Sequence, residues 1–316
     1  MKRFLACVLF SGWIAAFVEA QAPPPVQMPG LKLSVEKLRA QYTHYGVGKR
    51  LKPPQWPNGA KVAVALSFDV DNATVPLSRG QLGSEDLSRG MYGSVDGVPR
   101  ILRVLERQNV HASFFIPAVS ALLNPETVKS IQAGKHEIGV HGWIHEHLGV
   151  LNDEREEQRL LDESILALTN AIGKKPVGYR APSWAMSRYT MQQVKGAGFL
   201  YDSSLMASDD AYEVTIDGQP SGVIELPIER ILDDAPYYGA SNGSLPSPEL
   251  VDSIYRAEFE VAYKEGGLYV LTMHPHYTGH RSRALWLENL IVYMKSKPGV
   301  WFATHEEVAS YLKGMM

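Results

Sequence analysis

Short apolar runs alternate with amphipathic stretches along most of this 316-residue chain, and this alternation limits the folds it can adopt. Periodicity predicts seven strands, at 62–68, 112–116, 137–140, 177–179, 223–226, 268–273 and 300–303. Helices are predicted between them, at 97–108, 126–134, 152–172, 190–197, 248–265 and 284–297. Apolar strands separated by helices indicate a parallel sheet, and this many units favour a barrel over an open sheet. We expect one α/β barrel domain, a fold that commonly needs ~250 residues.

Polar residues stand at the ends of four predicted strands: Asp69 and Asp71, His141 and His145, Arg180, and His274. In α/β barrels the carboxyl ends of the strands build the active site, so residues far apart in sequence converge there. The pattern therefore indicates an enzyme.

The pair His141 and His145 suggests a metal site. If a helix began after the strand, the two rings would lie one turn apart, within reach of one cation. The spacing alone is also typical of ordinary surface histidines. Asp69 and Asp71 strengthen the metal hypothesis, because a carboxylate would complete a site of two histidines and one aspartate with open positions. Such a donor set suits Zn²⁺, with Co²⁺ or Mn²⁺ as alternatives.

The N-terminus has the pattern of an export signal. Lys2 and Arg3 precede an apolar run at 4–17, and small residues end at Ala20, where we expect cleavage. A retained N-terminal anchor is the alternative. The run is shorter than the ~20 residues that span a bilayer, and no later stretch is long enough. The only cysteine, Cys7, lies inside the signal. A periplasmic or extracellular location is expected.

Three segments follow from this organisation. Residues 1–20 form the signal peptide, residues 21–58 a proline-rich tether and N-terminal arm with one short helix at 31–40, and residues 59–316 the catalytic domain. A net charge of -3 and the lack of a Lys and Arg cluster give no electrostatic footprint for nucleic acid. The sequence leaves open whether the chain forms a homo-oligomer.

Five motifs resemble those of the NodB-homology polysaccharide deacetylases, carbohydrate esterase family 4, and appear in the family's order. They are Ser-Phe-Asp-Val-Asp at 67–71, the histidine pair at 141–145, Arg-Ala-Pro-Ser-Trp at 180–184, Tyr-Asp-Ser-Ser at 201–204 and Leu-Thr-Met-His at 271–274. The resemblance covers most of the mature chain. It implies a distorted (β/α) barrel with about seven parallel strands. It also implies a metal-dependent hydrolase of carbon–nitrogen bonds that removes N-acetyl groups from amino-sugar glycans.

Two departures from the family pattern bear on the substrate. The first motif usually has adjacent aspartates followed by glycine, whereas Val70 separates Asp69 from Asp71, and Gly142 stands where Ser or Thr is usual. Both departures resemble a branch with peptidoglycan-deacetylase-like and cyclic-imide or ureide amidohydrolase-like members. We expect a peptidoglycan or chitin-like substrate, because export does not suit small ureides. A cyclic-amide hydrolase and a non-catalytic glycan-binding relative are the alternatives.

Carried over residue by residue, the resemblance makes Asp71, His141 and His145 the metal ligands. Asp69 becomes the general base for attack of a metal-bound water on the amide, and Arg180 would lie close to it and keep it ionised.

The resemblance also assigns the acid and the substrate contacts. His274 would be the general acid that protonates the leaving amine, and Asp202 would orient it. The backbone N–H of Ser183 could stabilise the oxyanion. Trp184 and Leu271 could form the pocket wall that receives the acetyl methyl, with simple core packing as an equal alternative.

Overall fold

A computed structural model describes residues 28–239 and 245–316. The expected signal peptide at 1–20 lies outside the described residues, as does the start of the tether. The chain divides into two compact units, Met1–Arg39 and Ala40–Met316. The described part of the first unit contains a 3₁₀ turn at Pro29–Lys32 and the start of a helix at Val35–Tyr42. None of the helices within the described ranges is long and apolar enough to cross a membrane.

Within the described residues ten strands form one sheet. They are β1 Tyr45–Arg50, β2 Val62–Asp69, β3 Ser113–Ile116, β4 Glu137–Val140, β5 Gly178–Tyr179, β6 Tyr201–Asp202, β7 Tyr212–Ile216, β8 Gln219–Glu225, β9 Leu268–Met273 and β10 Val300–Ala303. The order is β1-β7-β8-β6-β5-β4-β3-β2-β10, and β9 also pairs with β2. Strand β7 pairs antiparallel with both β1 and β8, and the eight strands other than β1 and β7 run parallel to one another. All seven predicted strands are confirmed.

The helices lie between the strands, as expected for an α/β barrel. In the described ranges they are α1 Val35–Tyr42, α2 Thr74–Ser78, α3 Ser84–Tyr92, α4 Val98–Arg107, α5 Ala118–Leu123, α6 Pro125–Ala133, α7 Leu148–Leu151, α8 Glu154–Ile172, α9 Thr190–Gly196, α10 Ala235–Tyr238, α11 Pro248–Glu265, α12 Pro275–Thr278, α13 Arg281–Lys295 and α14 His305–Lys313. The six predicted helices correspond to α4, α6, α8, α9, α11 and α13. Helix α11 illustrates why helix bounds can be predicted from the sequence. The Ser247 hydroxyl caps its start, and Gly266 ends it at a φ of 72°.

Strand β2 pairs with β3, β9 and β10, and all eight of its residues are buried. Burial on both faces is typical of a parallel strand covered by helices. Because side chains alternate along a strand, its even-numbered residues belong to the core shared with the helices. Ala63 and Ala65 belong to the core inside the barrel, so Ser67 and Asp69 face the same interior. The sequence of β2 therefore directs Asp69 inward at the strand's carboxyl end.

The barrel is distorted and closes incompletely. Within the described residues, β9 pairs with one strand, β2. On its other edge it forms a single isolated parallel bridge, between Thr272 and Asp233. The expected distorted (β/α) barrel is present, with eight parallel strands instead of about seven. The additional strand, β6, has only two residues, which is too short for a periodicity to identify.

Residues 45–50, within the segment expected to form a tether and N-terminal arm, form a strand of the sheet. Strand β1 pairs antiparallel with β7, and Leu51 and Trp56 are buried. The compact unit begins at Ala40, before the expected domain start at residue 59. Periodicity did not indicate β1, because it is a half-exposed strand that contains Gly46 and Gly48.

Candidate active site

A cleft of about 460 Å³ lies at the carboxyl ends of the parallel strands. Seven of the predicted site residues line it: Asp69, Asp71, His141, His145, Ser183, Trp184 and His274. The other three predicted residues, Arg180, Asp202 and Leu271, are not part of its lining among the described residues. Two groups of side chains face each other across the cleft. We call Asp69, Asp71, His141 and His145 the β2–β4 wall, and Asp233, Asp234 and His274 the β9 wall.

The β2–β4 wall contains a compact set of potential metal ligands. Nε2 of His141 lies 3.5 Å from Oδ1 of Asp71, and Nε2 of His145 lies 3.6 Å from Oδ2 of Asp71. One ligand atom from each residue lies within 4.8 Å of the other two. Oδ1 of Asp71 is buried and has no hydrogen-bond partner in the described part of the chain. A buried carboxylate oxygen is costly unless it is paired or binds a metal, so this donor set fits a divalent cation.

The tautomer of His141 supports this assignment. Its Nδ1 lies 2.8 Å from the carbonyl oxygen of Arg180, to which it donates. The lone pair of Nε2 then points to Asp71. Metal-binding histidines commonly hold their second ring nitrogen in this way. Burial lowers the pKa of His141 and brings the pKa of His145 to about 4, so both rings are neutral, as ligands must be.

The histidine pair is not on a helix, and the expectation of one helical turn was wrong. Residues 141–147 form an irregular loop in which Gly142 and His145 have φ values of 72° and 63°. The carboxylate of Glu146 accepts hydrogen bonds from the N–H groups of Trp143 and Ile144 and closes the loop. A Cβ atom at position 142 would lie 2.8 Å from Oε1 of Glu146, which explains the glycine there. The loop, rather than helical periodicity, brings the two rings together.

Asp69 is held by Arg180, as expected. Nη1 of the fully buried Arg180 donates to Oδ1 of Asp69 at 2.7 Å. The other oxygen of Asp69 lies 3.7 Å from Nε2 of His141. Burial acts to raise the pKa of Asp69, but the Arg180 guanidinium outweighs it and lowers the pKa below its ordinary value. Asp69 is therefore an ionised carboxylate next to the ligand set.

His274 faces the ligand set from the β9 wall. Its Nε2 lies 3.7 Å from Oδ2 of Asp71, and its Nδ1 lies 2.7 Å from Oδ1 of Asp234. Asp234 also accepts hydrogen bonds from the backbone N–H of His274 and from the Thr278 hydroxyl. Burial acts to lower the pKa of His274, but Asp234 and Asp233 outweigh it and raise the pKa well above its ordinary value. His274 can therefore carry a proton on Nε2 into the cleft.

The expected partner of His274 was wrong. Asp202 accepts hydrogen bonds from the backbone N–H and hydroxyl of Ser204, and lies opposite Glu225 in the register of β6 and β8. Burial raises the pKa of Asp202 to about 6. The orienting carboxylate is Asp234, from the irregular segment after β8. The sequence did not indicate Asp234 because eight residues separate it from the end of β8. The adjacent pair Asp233–Asp234 could have marked it as a candidate site residue.

The turn after β5 brings Ser183 and Trp184 to the cleft. Both residues have left-handed backbone conformations, with φ values of 52° and 57°. Strained residues of this kind are frequent at functional sites. The N–H of Ala181, which precedes them, donates to the Ser204 hydroxyl at 2.8 Å and anchors the turn. The oxyanion role of the Ser183 N–H remains a prediction.

Leu271 does not contribute to the cleft. It is fully buried in β9 and lines a separate cavity of about 30 Å³ with Tyr255 and Leu287. Leu271 therefore packs in the core in this structure. The rim of the cleft includes the exposed side chains of Arg230 and Pro236, which the sequence did not indicate.

The barrel cleft thus contains two imidazoles and a carboxylate suited to a divalent cation, with an ionised carboxylate on one wall and a protonated imidazole on the other, and this arrangement is typical of hydrolases. Comparisons with known proteins identify which hydrolases it resembles. The family model "Polysaccharide deacetylase" matches residues 59–201. A crystal structure from Mycobacterium smegmatis, assigned to the polysaccharide deacetylases, is 36% identical with a TM-score of 0.78, and the match covers 85% of this chain and 96% of that one. The chain belongs to the polysaccharide deacetylase family.

Two further relatives bear on the substrate. The peptidoglycan deacetylase of Helicobacter pylori is 28% identical over 280 residues, which cover 79% of this chain and 95% of that protein. The structure of Puue allantoinase has a TM-score of 0.75 at 23% identity and covers 83% of this chain and 94% of that one. At this identity the second likeness is one of fold.

Proposed function

We propose that this protein is a metal-dependent deacetylase that removes N-acetyl groups from the amino sugars of peptidoglycan or a chitin-like glycan. One observation carries the proposal: Asp71, His141 and His145 form a ligand set flanked by a charged carboxylate and a charged imidazole. Amide hydrolysis needs a base for the attacking water and an acid for the departing nitrogen. The likeness to a peptidoglycan deacetylase supports peptidoglycan as the substrate.

Asp71, His141 and His145 would hold the cation, with Zn²⁺ as the first candidate and Co²⁺ or Mn²⁺ as alternatives. When bound, the cation would polarise the acetamide carbonyl and make water more acidic. The Arg180 carbonyl fixes the His141 ring, and the Glu146-closed loop fixes His145.

The chain's own groups then move the protons. Asp69 takes a proton from the water that attacks the acetamide carbon, and the Arg180 guanidinium keeps Asp69 ionised and in place. Nε2–H of His274 gives a proton to the sugar nitrogen as the carbon–nitrogen bond breaks, and Asp234 stabilises the imidazolium until then. The products are acetate and the free amino sugar.

We further propose that the enzyme acts outside the cytoplasm, in the periplasm or extracellular space. The basic and apolar pattern of residues 1–20 supports this location. Cell-wall glycan is found there, so location and proposed substrate agree.

Acetate release tests the proposed function. Zn-, Co- and Mn-loaded protein is incubated with peptidoglycan, with oligomers of N-acetylglucosamine, and with hydantoin-type and ureide rings. We expect metal-dependent acetate from a glycan and no ring opening. The metal-loaded Asp69→Asn protein serves as a matched control for contaminating activity. Ring opening without acetate release would instead identify a cyclic-amide hydrolase.

A further inference from the structure

A series of hydrogen bonds runs through the barrel interior beneath the cleft. Nη2 of Arg180 lies 3.4 Å from Nε2 of His305, Nδ1 of His305 lies 3.0 Å from Oγ of Ser113, and that Oγ lies 2.6 Å from Oε2 of Glu137. All four residues are buried, and Arg180 and His305 are fully buried. The proposed mechanism uses only Arg180 among them.

The chemistry of the groups permits one direction for these bonds. A guanidinium can only donate, so Nε2 of His305 must accept and its ring proton must lie on Nδ1. Nδ1–H then donates to Ser113, whose hydroxyl donates to Glu137. Ser113 also accepts the backbone N–H of His305 at 2.8 Å, and a hydroxyl has room for both. Burial lowers the pKa of His305 well below its ordinary value, in agreement with a neutral ring.

His305 completes the surroundings of Arg180. Arg180 has five N–H donors. Nε–H donates to the Ser203 carbonyl, and the two Nη1 hydrogens go to Asp69 and the Ser67 hydroxyl. One Nη2 hydrogen goes to the Ser203 hydroxyl, which leaves the other for His305. Without the ring, one donor of a fully buried cation would lose its acceptor, at a free-energy cost that favours movement of the guanidinium.

We propose that His305 is a positioning residue: as the Nδ1–H tautomer, it fixes the guanidinium of Arg180 and thereby the carboxylate of Asp69. The effect on turnover rests on the proposed function, in which Asp69 is the base. The tautomer itself follows from the hydrogen bonds alone.

Two substitutions separate positioning from packing. The side-chain amide of His305→Gln reaches the place of Nε2 and can accept from Arg180, whereas that of His305→Asn reaches the place of Nδ1 and can only replace the bond to Ser113. We expect His305→Asn to lower kcat about 10- to 100-fold with little change in KM, because misplacement of a catalytic group by ~1 Å can cost about 100-fold. His305→Gln should keep kcat within about threefold of wild type. Metal content should be unchanged in both.

Equal losses of kcat in the two variants, or a kcat in His305→Asn like that of wild type, would overturn the positioning role. The tautomer is measured separately on wild-type protein labelled with ¹⁵N-histidine. The His305 resonances are identified by comparing spectra: they are present in wild type and absent from both His305 variants, or from the variant that folds. Protonated Nδ1 with unprotonated Nε2 is expected, and protonated Nε2 would overturn the inference whatever the activity. Wild-type protein that releases no acetate would contradict the proposed function, not the tautomer.

Discussion

The two walls of the cleft are built in different ways. On the β2–β4 wall, Asp69 ends its strand and His141 directly follows another, so the strands themselves position these two side chains. On the β9 wall, Asp234 comes from an irregular segment and reaches His274 because Asp233 bridges Thr272 of β9. Site residues at strand ends can therefore be predicted from the sequence. A hydrogen-bond partner that lies in an irregular segment cannot.

The two walls also shift the pKa of a buried histidine in opposite directions. His145 and His274 both lie within 3.7 Å of Oδ2 of Asp71. Burial lowers the pKa of His145 to about 4, whereas Asp234 and Asp233 overcome burial and raise the pKa of His274. Neighbouring carboxylates thus decide whether a buried imidazole is neutral or charged. One wall can hold a cation and the other can donate a proton.

The largest expected effect comes from breaking the ligand set. His141→Ala removes one of two imidazoles and should abolish both metal binding and acetate release, because the remaining donors are too few for a stable site. Chelation of wild-type protein should have the same effect, and Zn²⁺, Co²⁺ or Mn²⁺ should reverse it. Metal content by mass spectrometry and acetate release are measured together. A metal-loaded His141→Ala protein with normal turnover would exclude His141 as a ligand.

Substitution of the proton-transfer groups should give the next largest effect. We expect Asp69→Asn and His274→Ala each to lower kcat about 100- to 10,000-fold, the usual range for one general base or acid. Both variants should retain metal and the wild-type melting temperature within a few degrees. Single-turnover kinetics on an N-acetylated oligomer provide the measurement. Near-normal kcat in a folded His274→Ala protein would show that another residue is the general acid, and the neighbouring His276 would be tested first.

Much of the fold and of the β2–β4 wall could be predicted from the sequence. The runs at 268–273 and 300–303 match β9 and β10 residue for residue, because both strands are continuous apolar segments. All six residues of β9 are buried, as expected for a parallel strand covered on both faces. Asp69, Asp71 and the histidine pair could be placed in one cleft because strand ends meet at one end of a barrel.

The remainder depends on tertiary contacts that have no local pattern. The loop at 141–147 owes its shape to the Glu146 carboxylate, and β1 owes its existence to pairing with β7. Asp202 appeared in a family-like motif, but its strand register places it opposite Glu225. Which carboxylate meets His274 is a question of packing, and sequence order alone could not answer it.

The third prediction concerns the partner of His274. In Asp234→Asn the imidazolium loses a neighbouring negative charge, so its pKa should fall. An acid must be protonated to act, and activity is lost as pH rises through its pKa. The alkaline limb of kcat should therefore move to lower pH, with a loss of about 10-fold near neutral pH.

Asp202→Asn is the matched control for Asp234→Asn. It also removes a buried carboxylate near the site, yet Asp202 contacts Ser204 and not His274. Its alkaline limb should coincide with that of wild type in profiles of kcat against pH. A shift in Asp202→Asn with none in Asp234→Asn would reverse the assignment of the two carboxylates.

The smallest expected effect tests a second carboxylate pair, Asp202 and Glu225, which lacks the histidine found on the β9 wall. Burial raises the pKa of Asp202 to about 6 and the pKa of Glu225 well above its ordinary value. Because the folded state then binds more protons than the unfolded chain, stability should fall as pH rises from about 4 through these folded-state pKa values.

The variant Glu225→Gln tests this prediction. Its side-chain amide does not titrate, and its amide oxygen can still accept hydrogen bonds from the N–H groups of Ser204 and Leu205. Between pH 5.5 and 8, its melting temperature should fall about 3 °C less than that of wild type. The exposed Glu126→Gln, measured by the same calorimetry, should fall as wild type does. An equal fall in Glu225→Gln and wild type would show that Glu225 loses no proton between pH 5.5 and 8 and would contradict this prediction.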